Sequence, residues 1–225
     1  MNNPVAPQLG TRFSQGFSCA ATIHAEQRRK ATTVPYLAHL LGVASLALEY
    51  GADEDEAIAA LLHDAIEDAP AALGPDKANV VRAWICLKFG ERVLTIVEGC
   101  TDADADPKPP WRIRKQQYLA RVAHESASVL LVSMADKLHN VHALERDYRT
   151  IGDALWDRFN PEAGRDGTLG YYRGLVIAFA KRIEEVHDSR LAVLVEALDR
   201  EVSALEQLVG AKPTPLSSSV GSDAR

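Results

Sequence analysis

The chain has 225 residues, and its 25 Lys and Arg against 31 Asp and Glu give a formal net charge of −6 at pH 7. Hydrophobic residues make up 47% and charged residues 25%, which is ordinary globular composition and excludes a disordered or collagen-like chain. The acidic balance also excludes a protein that coats DNA or RNA through a broadly basic surface. Any positive charge for an anionic ligand must therefore be local.

The apolar and cysteine patterns disfavour a membrane or secreted protein. The longest mainly apolar stretch, residues 40–48, is far shorter than the roughly 20 residues of a membrane-spanning helix. The N-terminus shows no basic region followed by an apolar run, so no signal peptide is predicted. Cys19, Cys86 and Cys100 lack metal-type spacing, which predicts buried free thiols and a cytoplasmic location. The oligomeric state stays open.

Helical periodicity dominates the first half of the chain, with short Gly, Pro and Asp breaks. Pro35 in a first turn and Gly51 after a last turn delimit one helix. Asp53 and Glu56 form a capping-box pattern at the start of the helix that follows Gly51. Asp76 is predicted to cap the helix after that one. The predicted helices cover residues 12–29, 35–50, 53 to about 63, 76–90 and 91–99.

The second half begins with an acidic, proline-rich stretch at residues 101–110, which predicts a surface loop. Further helices are predicted at residues 111–124, 128–148, 171–187 and 191–208, with a connection at 160–170. The Pro- and Ser-rich end is predicted to be disordered. The expected organisation is a flexible N-terminus (1–11), one all-α domain (12–209) and a disordered tail (210–225).

Several polar side chains fall where helical periodicity predicts burial. Positions four apart share a helix face, so His63 aligns with Glu67 and Asp64 with Asp68. Buried charges are costly without partners, and a divalent cation is one such partner. The complete set is His39, His63, Asp64, Glu67, Asp68, Asp136 and Asn140.

Four of these residues have the chemistry of a metal site. His39, His63, Asp64 and Asp136 would supply two nitrogen and two oxygen ligands, which leaves positions for water and substrate on a six-coordinate ion. Mixed imidazole and carboxylate ligation suits Mn, Fe, Zn or Mg and does not choose among them.

The motifs also carry a family resemblance. The H…HD…D order on an all-α scaffold resembles the HD-domain metal-dependent phosphohydrolases, so the expected fold is an HD-domain helical bundle. The surrounding segments resemble the hydrolase half of the RelA/SpoT alarmone enzymes, and most of all the stand-alone small alarmone hydrolases. The resemblance covers roughly residues 15–185. It rests on the segments HAEQRRK, PYLAH, LLHDAIED, FGERVLTIVEGCTD, WRIRKQQY and SMADKLHNVHAL.

This resemblance implies residue roles. It makes His39, His63, Asp64 and Asp136 the metal ligands, with Mn²⁺ as the usual ion and other divalent ions possible. It makes Glu67 and Asp68 the acidic pair that orients or deprotonates the attacking water, and Asn140, Arg29 and Lys30 contacts to the nucleotide.

Basic residues that could offset phosphate charge are also concentrated locally. Arg114 and Lys115, with Arg112, follow the acidic loop, and Lys137 stands beside Asp136. Two positions depart from the family pattern: Ala69 stands where Thr is frequent, and Lys137 stands where many relatives have Arg.

Other aromatic and histidine residues receive structural interpretations. Tyr36 is interpreted as a packing residue and His139 as a core or ligand-supporting histidine. The remaining histidines, which lack a matching partner, are interpreted as surface or structural: His24, His124, His142 and His187.

The expected function is metal-dependent removal of the 3′-pyrophosphate of guanosine tetra- or pentaphosphate, releasing GDP or GTP and pyrophosphate. The expected partner is the guanine alarmone nucleotide, with no DNA, RNA or membrane. One alternative is an HD phosphohydrolase acting on another nucleotide, such as a deoxynucleotide, a nucleoside monophosphate or NADPH. Another is a catalytically silent HD module that senses a nucleotide.

Overall fold

A computed structural model of the chain describes residues 8–74, 77–102, 108–211 and 213–218. These residues form ten α-helices and one 3₁₀ helix, and no strand occurs among them, which confirms the all-α prediction. The helices are α1 (Thr11–Ile23), α2 (Leu37–Glu49), α3 (Glu54–Leu62), α4 (Ala65–Leu73), α5 (Lys77–Phe89), α6 (Glu91–Cys100), α7 (Trp111–Val122), α8 (Ala127–Ile151), the 3₁₀ helix (Gly152–Arg158), α9 (Gly164–Val186) and α10 (Ser189–Val209).

Helix α8 is the central element of the bundle. Its first half is mainly apolar, and residues 129–136 are all buried. Helices α2, α3, α6 and α10 pack around it. Because a mainly apolar helix segment is buried in the core, this packing brings Asp136 to the centre of the molecule.

The first helix is shorter than the sequence predicts. Helix α1 ends at Ile23, and residues 24–36 form turns instead of continuing the helix to residue 29. The Arg29 N–H donates to the Val34 carbonyl at 2.9 Å, and Ala31 takes a positive φ of 54°. This tight reversal, which helix periodicity cannot reveal, sets the direction of the Arg29 side chain.

The HDxxED segment, residues 63–68, begins in the turn between two helices and continues into the second of them. Helix α3 ends at Leu62 and α4 begins at Ala65, with His63 and Asp64 in the turn between them. The Asp68 N–H still donates to the Asp64 carbonyl at 2.9 Å, so the predicted four-residue spacing survives the break.

Later boundaries also differ from the predictions. The 3₁₀ helix precedes the predicted connection at residues 160–170. Helix α9 begins at Gly164, so it includes most of that connection. The predicted cap Asp76 lies outside the described residues. Of the three cysteines, all free, only Cys100 is buried and Cys86 is exposed, so the prediction of three buried thiols is wrong.

Part of the predicted tail lies against the bundle. The Leu216 N–H donates to the Gly170 carbonyl at 2.9 Å, and a Cβ at Gly174 would lie 2.4 Å from the Leu216 carbonyl oxygen. Two glycines one turn apart on α9 thus admit the backbone of residues 213–218. The rest of the tail, 219–225, lies outside the described residues.

Among the described residues, none of the helices combines the length and the apolar character that a membrane-spanning segment needs.

Candidate active site

The four predicted metal ligands meet in the core. His39 comes from α2, His63 and Asp64 from the α3–α4 turn, and Asp136 from α8. Asp136 Oδ1 lies 3.2 Å from His39 Nε2 and 3.6 Å from His63 Nε2, and Asp64 Oδ2 lies 3.0 Å from His63 Nε2. Ligand atoms of His39, His63 and Asp136 all lie within 4.8 Å of one another, a spacing that could hold one metal ion.

The histidines present the chemistry that a cation requires. The Nδ1 of His63 lies 2.9 Å from the Ala60 carbonyl, which can only accept, so Nδ1 carries a proton and Nε2 is the ring nitrogen that faces the carboxylates. That buried Nε2 has no hydrogen-bond partner within the described part of the chain. A second-nitrogen hydrogen bond of this kind is typical of metal-binding histidines. The residues therefore fit a divalent ion.

His39 is oriented by a neighbouring histidine. Its Nδ1 lies 2.9 Å from His139 Nδ1. Burial lowers the pKa of His139 to about 4, with His39 and Arg29 acting in the same direction, so its ring is neutral and can accept. A Cβ at Gly42 would lie 2.2 Å from the His139 ring, so only glycine lets α2 approach α8 this closely. The interpretation of His139 as supporting a ligand agrees with this geometry.

Both carboxylates in the cluster are also oriented. Tyr36 packs against the core, as interpreted from the sequence, and its hydroxyl also donates to Asp64 Oδ2. Asn140 Nδ2 donates to Asp136 Oδ1 at 2.6 Å, and Lys137 Nζ donates to Asp136 Oδ2 at 2.5 Å. Asp136 thus connects the candidate metal site to two predicted substrate-binding residues.

Asp68 has the protonation properties of a general base. Burial raises its pKa to about 6, and the negative charge of Asp64 acts in the same direction. Gln27 Nε2 donates to Asp68 Oδ2 at 2.8 Å, and Gln27 Oε1 lies 2.6 Å from Nδ1 of the buried His24. A base is most effective when its pKa lies near the operating pH, and Asp68 approaches that condition.

Glu67 has a different environment from Asp68. Its Oε2 accepts from the Asp102 backbone N–H at 3.2 Å, and its Oε1 accepts from Lys108 Nζ at 2.8 Å. Both ends of the predicted 101–110 loop therefore contact this carboxylate, while residues 103–107 of that loop lie outside the described residues. Among the described residues, Glu67 is held by two donors, whereas Asp68 has a single side-chain donor, Gln27.

A small cavity of about 110 Å³ adjoins the cluster. The predicted substrate-binding residues Arg29, Lys30 and Asn140 all line it, together with Tyr172. Arg29 donates from Nη2 to Asn140 Oδ1 at 2.9 Å, and its other terminal nitrogen, Nη1, is buried without a partner in the described structure. Lys30 is exposed at the rim.

The predicted phosphate-binding cations form ion pairs. Lys115 Nζ lies 2.9 Å from Asp102 Oδ2, and Arg114 pairs with the same oxygen. Although burial alone would raise the pKa of Asp102, the charges of Lys115 and Arg114 lower it below its usual value. Lys115 also lies over the Tyr171 ring at 4.9 Å, and Lys137 over the Tyr118 ring at 5.1 Å. These cations are therefore pre-positioned by an internal carboxylate and by aromatic rings.

Sequence analysis missed three contributors to the site. The sequence patterns indicate only a surface or structural role for His24 and a loop position for Asp102, and they indicate no role for Gln27. His24 acts through the nearby Gln27, whereas Gln27 meets Asp68 and Asp102 meets Lys115 across longer separations in sequence, which periodicity does not predict. The available signal was proximity to the motifs: His24 and Gln27 precede Arg29 in HAEQRRK, and Asp102 ends the segment FGERVLTIVEGCTD.

Comparison with known proteins assigns the chain to a family. A family model described as an HD domain matches residues 17–169. The chain belongs to the HD-domain family. Its His63-Asp64 pair, in the turn between α3 and α4 beside His39 and Asp136, lies within the matched region.

Among curated relatives, a guanosine-3′,5′-bis(diphosphate) 3′-pyrophosphohydrolase of Aquifex aeolicus is 32% identical over 165 residues, covering 72% of this chain and 22% of its own length. The guanosine-3′,5′-bis(diphosphate) 3′-pyrophosphohydrolases MESH1 of Xenopus tropicalis and Mus musculus are 39% and 37% identical, each over 56% of this chain and 66% of their own length. The chain thus spans about a fifth of the first relative and just under two thirds of the other two.

Solved structures share the fold of this HD-domain protein. One, reported as a metazoan ortholog of SpoT that hydrolyses ppGpp, superposes with a TM-score of 0.64 at 24% identity over 87% of this chain and 98% of that one. Another, lmo0812 of Listeria monocytogenes, gives a TM-score of 0.61 at 23% identity over 76% of this chain and 99% of that one. At these identities the comparison establishes the helical architecture.

Proposed function

We propose that the protein is a divalent-metal-dependent hydrolase that removes the 3′-pyrophosphate of guanosine tetra- or pentaphosphate. The observation that carries the proposal is the hydrogen-bond chain from Arg29 through Asn140 to Asp136. These hydrogen bonds connect a cavity lined by both basic and apolar side chains to a cluster suited to a metal ion. Relatives named as 3′-pyrophosphohydrolases of this nucleotide support the substrate.

We propose Mn²⁺ as the ion, held by His39, His63, Asp64 and Asp136. Two imidazole nitrogens favour a transition metal over Mg²⁺ or Ca²⁺, which prefer all-oxygen sites. When bound, such an ion acidifies water and offsets negative charge on phosphate oxygens.

The protein's own residues would divide the remaining tasks. Asp68 accepts a proton from the attacking water, whose oxygen bonds to the phosphorus attached to the 3′-oxygen. The bond between that phosphorus and the 3′-oxygen breaks, and the proton ends on the 3′-oxygen. Lys115, Lys137 and Arg114 offset the charge of the departing pyrophosphate. Arg29 and Asn140 hold the nucleoside part.

The proposed location of the reaction is the cytoplasm, which the free thiols support.

A direct assay tests this function. Metal-stripped protein, resupplied separately with Mn²⁺, Mg²⁺, Zn²⁺ or Fe²⁺, is incubated with guanosine tetraphosphate, and products are separated by ion-exchange chromatography. We expect GDP and pyrophosphate in equal amounts, with Mn²⁺ giving the highest rate. Absence of both products at micromolar enzyme with every ion would contradict the proposal.

A substrate panel separates the alternatives. Preferred turnover of a deoxynucleotide, a nucleoside monophosphate or NADPH would identify another HD phosphohydrolase. Tight nucleotide binding without turnover would instead support a sensing module.

The cavity makes a separate prediction about Arg29. Replacing Arg29 with Ala removes a buried charged donor whose Nη1 has no partner in the described structure. A hydrogen bond to a charged group is worth roughly 1.5–3 kcal/mol, so KM should rise about 10- to 100-fold. Because the group contacts the nucleoside part in both ground and transition states, kcat should change much less.

The neighbouring Arg28→Ala variant is the matched control. Arg28 is exposed and bonds only to the Thr33 carbonyl in the described structure, at 2.9 Å. Initial-rate kinetics should give a KM for this control close to that of the unmodified protein. Equal KM increases in both variants would show that general electrostatic attraction, and not the cavity, is responsible.

A further inference from the structure

His24 and Gln27 form a buried hydrogen-bond chain that ends on the proposed base. His24, at the end of α1, is only 2% exposed. Its Nδ1 lies 2.6 Å from Gln27 Oε1, and Gln27 Nε2 lies 2.8 Å from Asp68 Oδ2. Neither residue lies among the cluster of metal ligands or lines the cavity.

The chemistry of the chain fixes its direction. An ionised carboxylate only accepts hydrogen bonds, so Gln27 must turn its amide N–H towards Asp68 and its carbonyl towards His24. His24 must then donate from Nδ1. Without that donor, Gln27 Oε1 would lose its partner, and the amide would no longer be held in place beside Asp68.

The backbone holds both residues in place. The Gln27 N–H donates to the His24 carbonyl at 3.1 Å, and the Tyr36 N–H donates to the Gln27 carbonyl at 2.9 Å. The Tyr36 ring also packs on the His24 ring, with centroids 5.3 Å apart, while its hydroxyl donates to Asp64. One layer of side chains therefore orients both Asp64 and Asp68.

We propose that His24 and Gln27 are positioning residues: His24 holds the Gln27 amide in place, and Gln27 directs Asp68 towards the attacking water. This inference rests on the proposed hydrolysis of the nucleotide. The hydrogen bonds from His24 through Gln27 to Asp68 act on the proton-transfer step and not on nucleotide binding. Their loss therefore lowers kcat and leaves KM and metal content nearly unchanged.

The test uses four variants of the full chain, loaded with Mn²⁺ and assayed with guanosine tetraphosphate. Gln27→Met keeps the side-chain length but lacks the donor, and His24→Leu removes the imidazole; each should lower kcat by about 10- to 100-fold. Asn places an N–H near the position of Nδ1, so His24→Asn should recover most of the rate. Gln places its N–H near the position of Nε2, so His24→Gln should not.

Combining His24→Leu with Gln27→Met gives a further readout. Since both residues act through one chain, the double variant should be about as slow as the slower single variant. Thermal unfolding and metal content, measured for each, separate a local effect from loss of the fold, and rescue by Asn but not Gln cannot come from packing volume alone.

The outcomes are distinct. Unmodified kcat in Gln27→Met, equal rates for His24→Asn and His24→Gln, or independent losses in the double variant would each overturn the positioning role while leaving the hydrolase function intact. Absence of turnover by the unmodified protein would overturn the proposed function and this inference with it.

Discussion

Asp64→Ala is expected to release the metal ion and to reduce turnover of guanosine tetraphosphate by roughly 10³-fold or more. Asp64 Oδ2 lies 3.0 Å from His63 Nε2, so the substitution removes a charged group that we propose as a metal ligand. Stabilisation of charge by a bound ion is worth several kcal/mol, and about 1.4 kcal/mol corresponds to a tenfold change in rate. Elemental analysis after gel filtration, with the product assay, measures both effects.

Two further variants make this result specific. Asp64→Asn keeps an acceptor for the Tyr36 hydroxyl and removes only the negative charge, so it should lose metal with less effect on thermal stability. Asp157→Ala removes an exposed carboxylate remote from the cluster in sequence and should retain full metal content and rate. If Asp64→Ala kept its metal at full stoichiometry, the assignment of Asp64 as a ligand would be wrong.

The metal cluster could be predicted from the sequence because its signal is local contrast. His39, His63 and Asp136 are polar residues within apolar helical runs, and burial at these positions follows from helix periodicity. The structure places all three in the core with ligand atoms within 4.8 Å of one another. Their roles on a bound ion stay predictions, which the Asp64 variants address.

The surrounding hydrogen bonds could not be predicted in the same way. Gln27 meets Asp68, and Lys108 meets Glu67, across 41 residues in each case. Such pairs depend on where α1 ends and how the following turns run. The sequence predicts α1 to continue to residue 29, which would have placed Gln27 inside a helix, and only the reversal around Ala31 directs this segment to the site.

The acidic pair Glu67 and Asp68 is the subject of the other large prediction. Asp68→Asn should lower kcat by about 10²- to 10⁴-fold, the usual contribution of a general base, while KM and metal content stay nearly constant. The amide oxygen can still accept from Gln27, so the local fold should persist. Steady-state kinetics with saturating Mn²⁺ and guanosine tetraphosphate measure the loss.

Glu67→Gln is the informative comparison, because the two carboxylates differ in environment. Glu67 accepts from Lys108 and from the Asp102 backbone N–H, while burial raises the pKa of Asp68 to about 6. Each side-chain oxygen of Glu67 already accepts a hydrogen bond, whereas the raised pKa of Asp68 suits proton transfer near neutral pH. The Asp68 variant should therefore be slower than the Glu67 variant by at least about tenfold; the reverse order would make Glu67 the base and Asp68 the residue that orients the water.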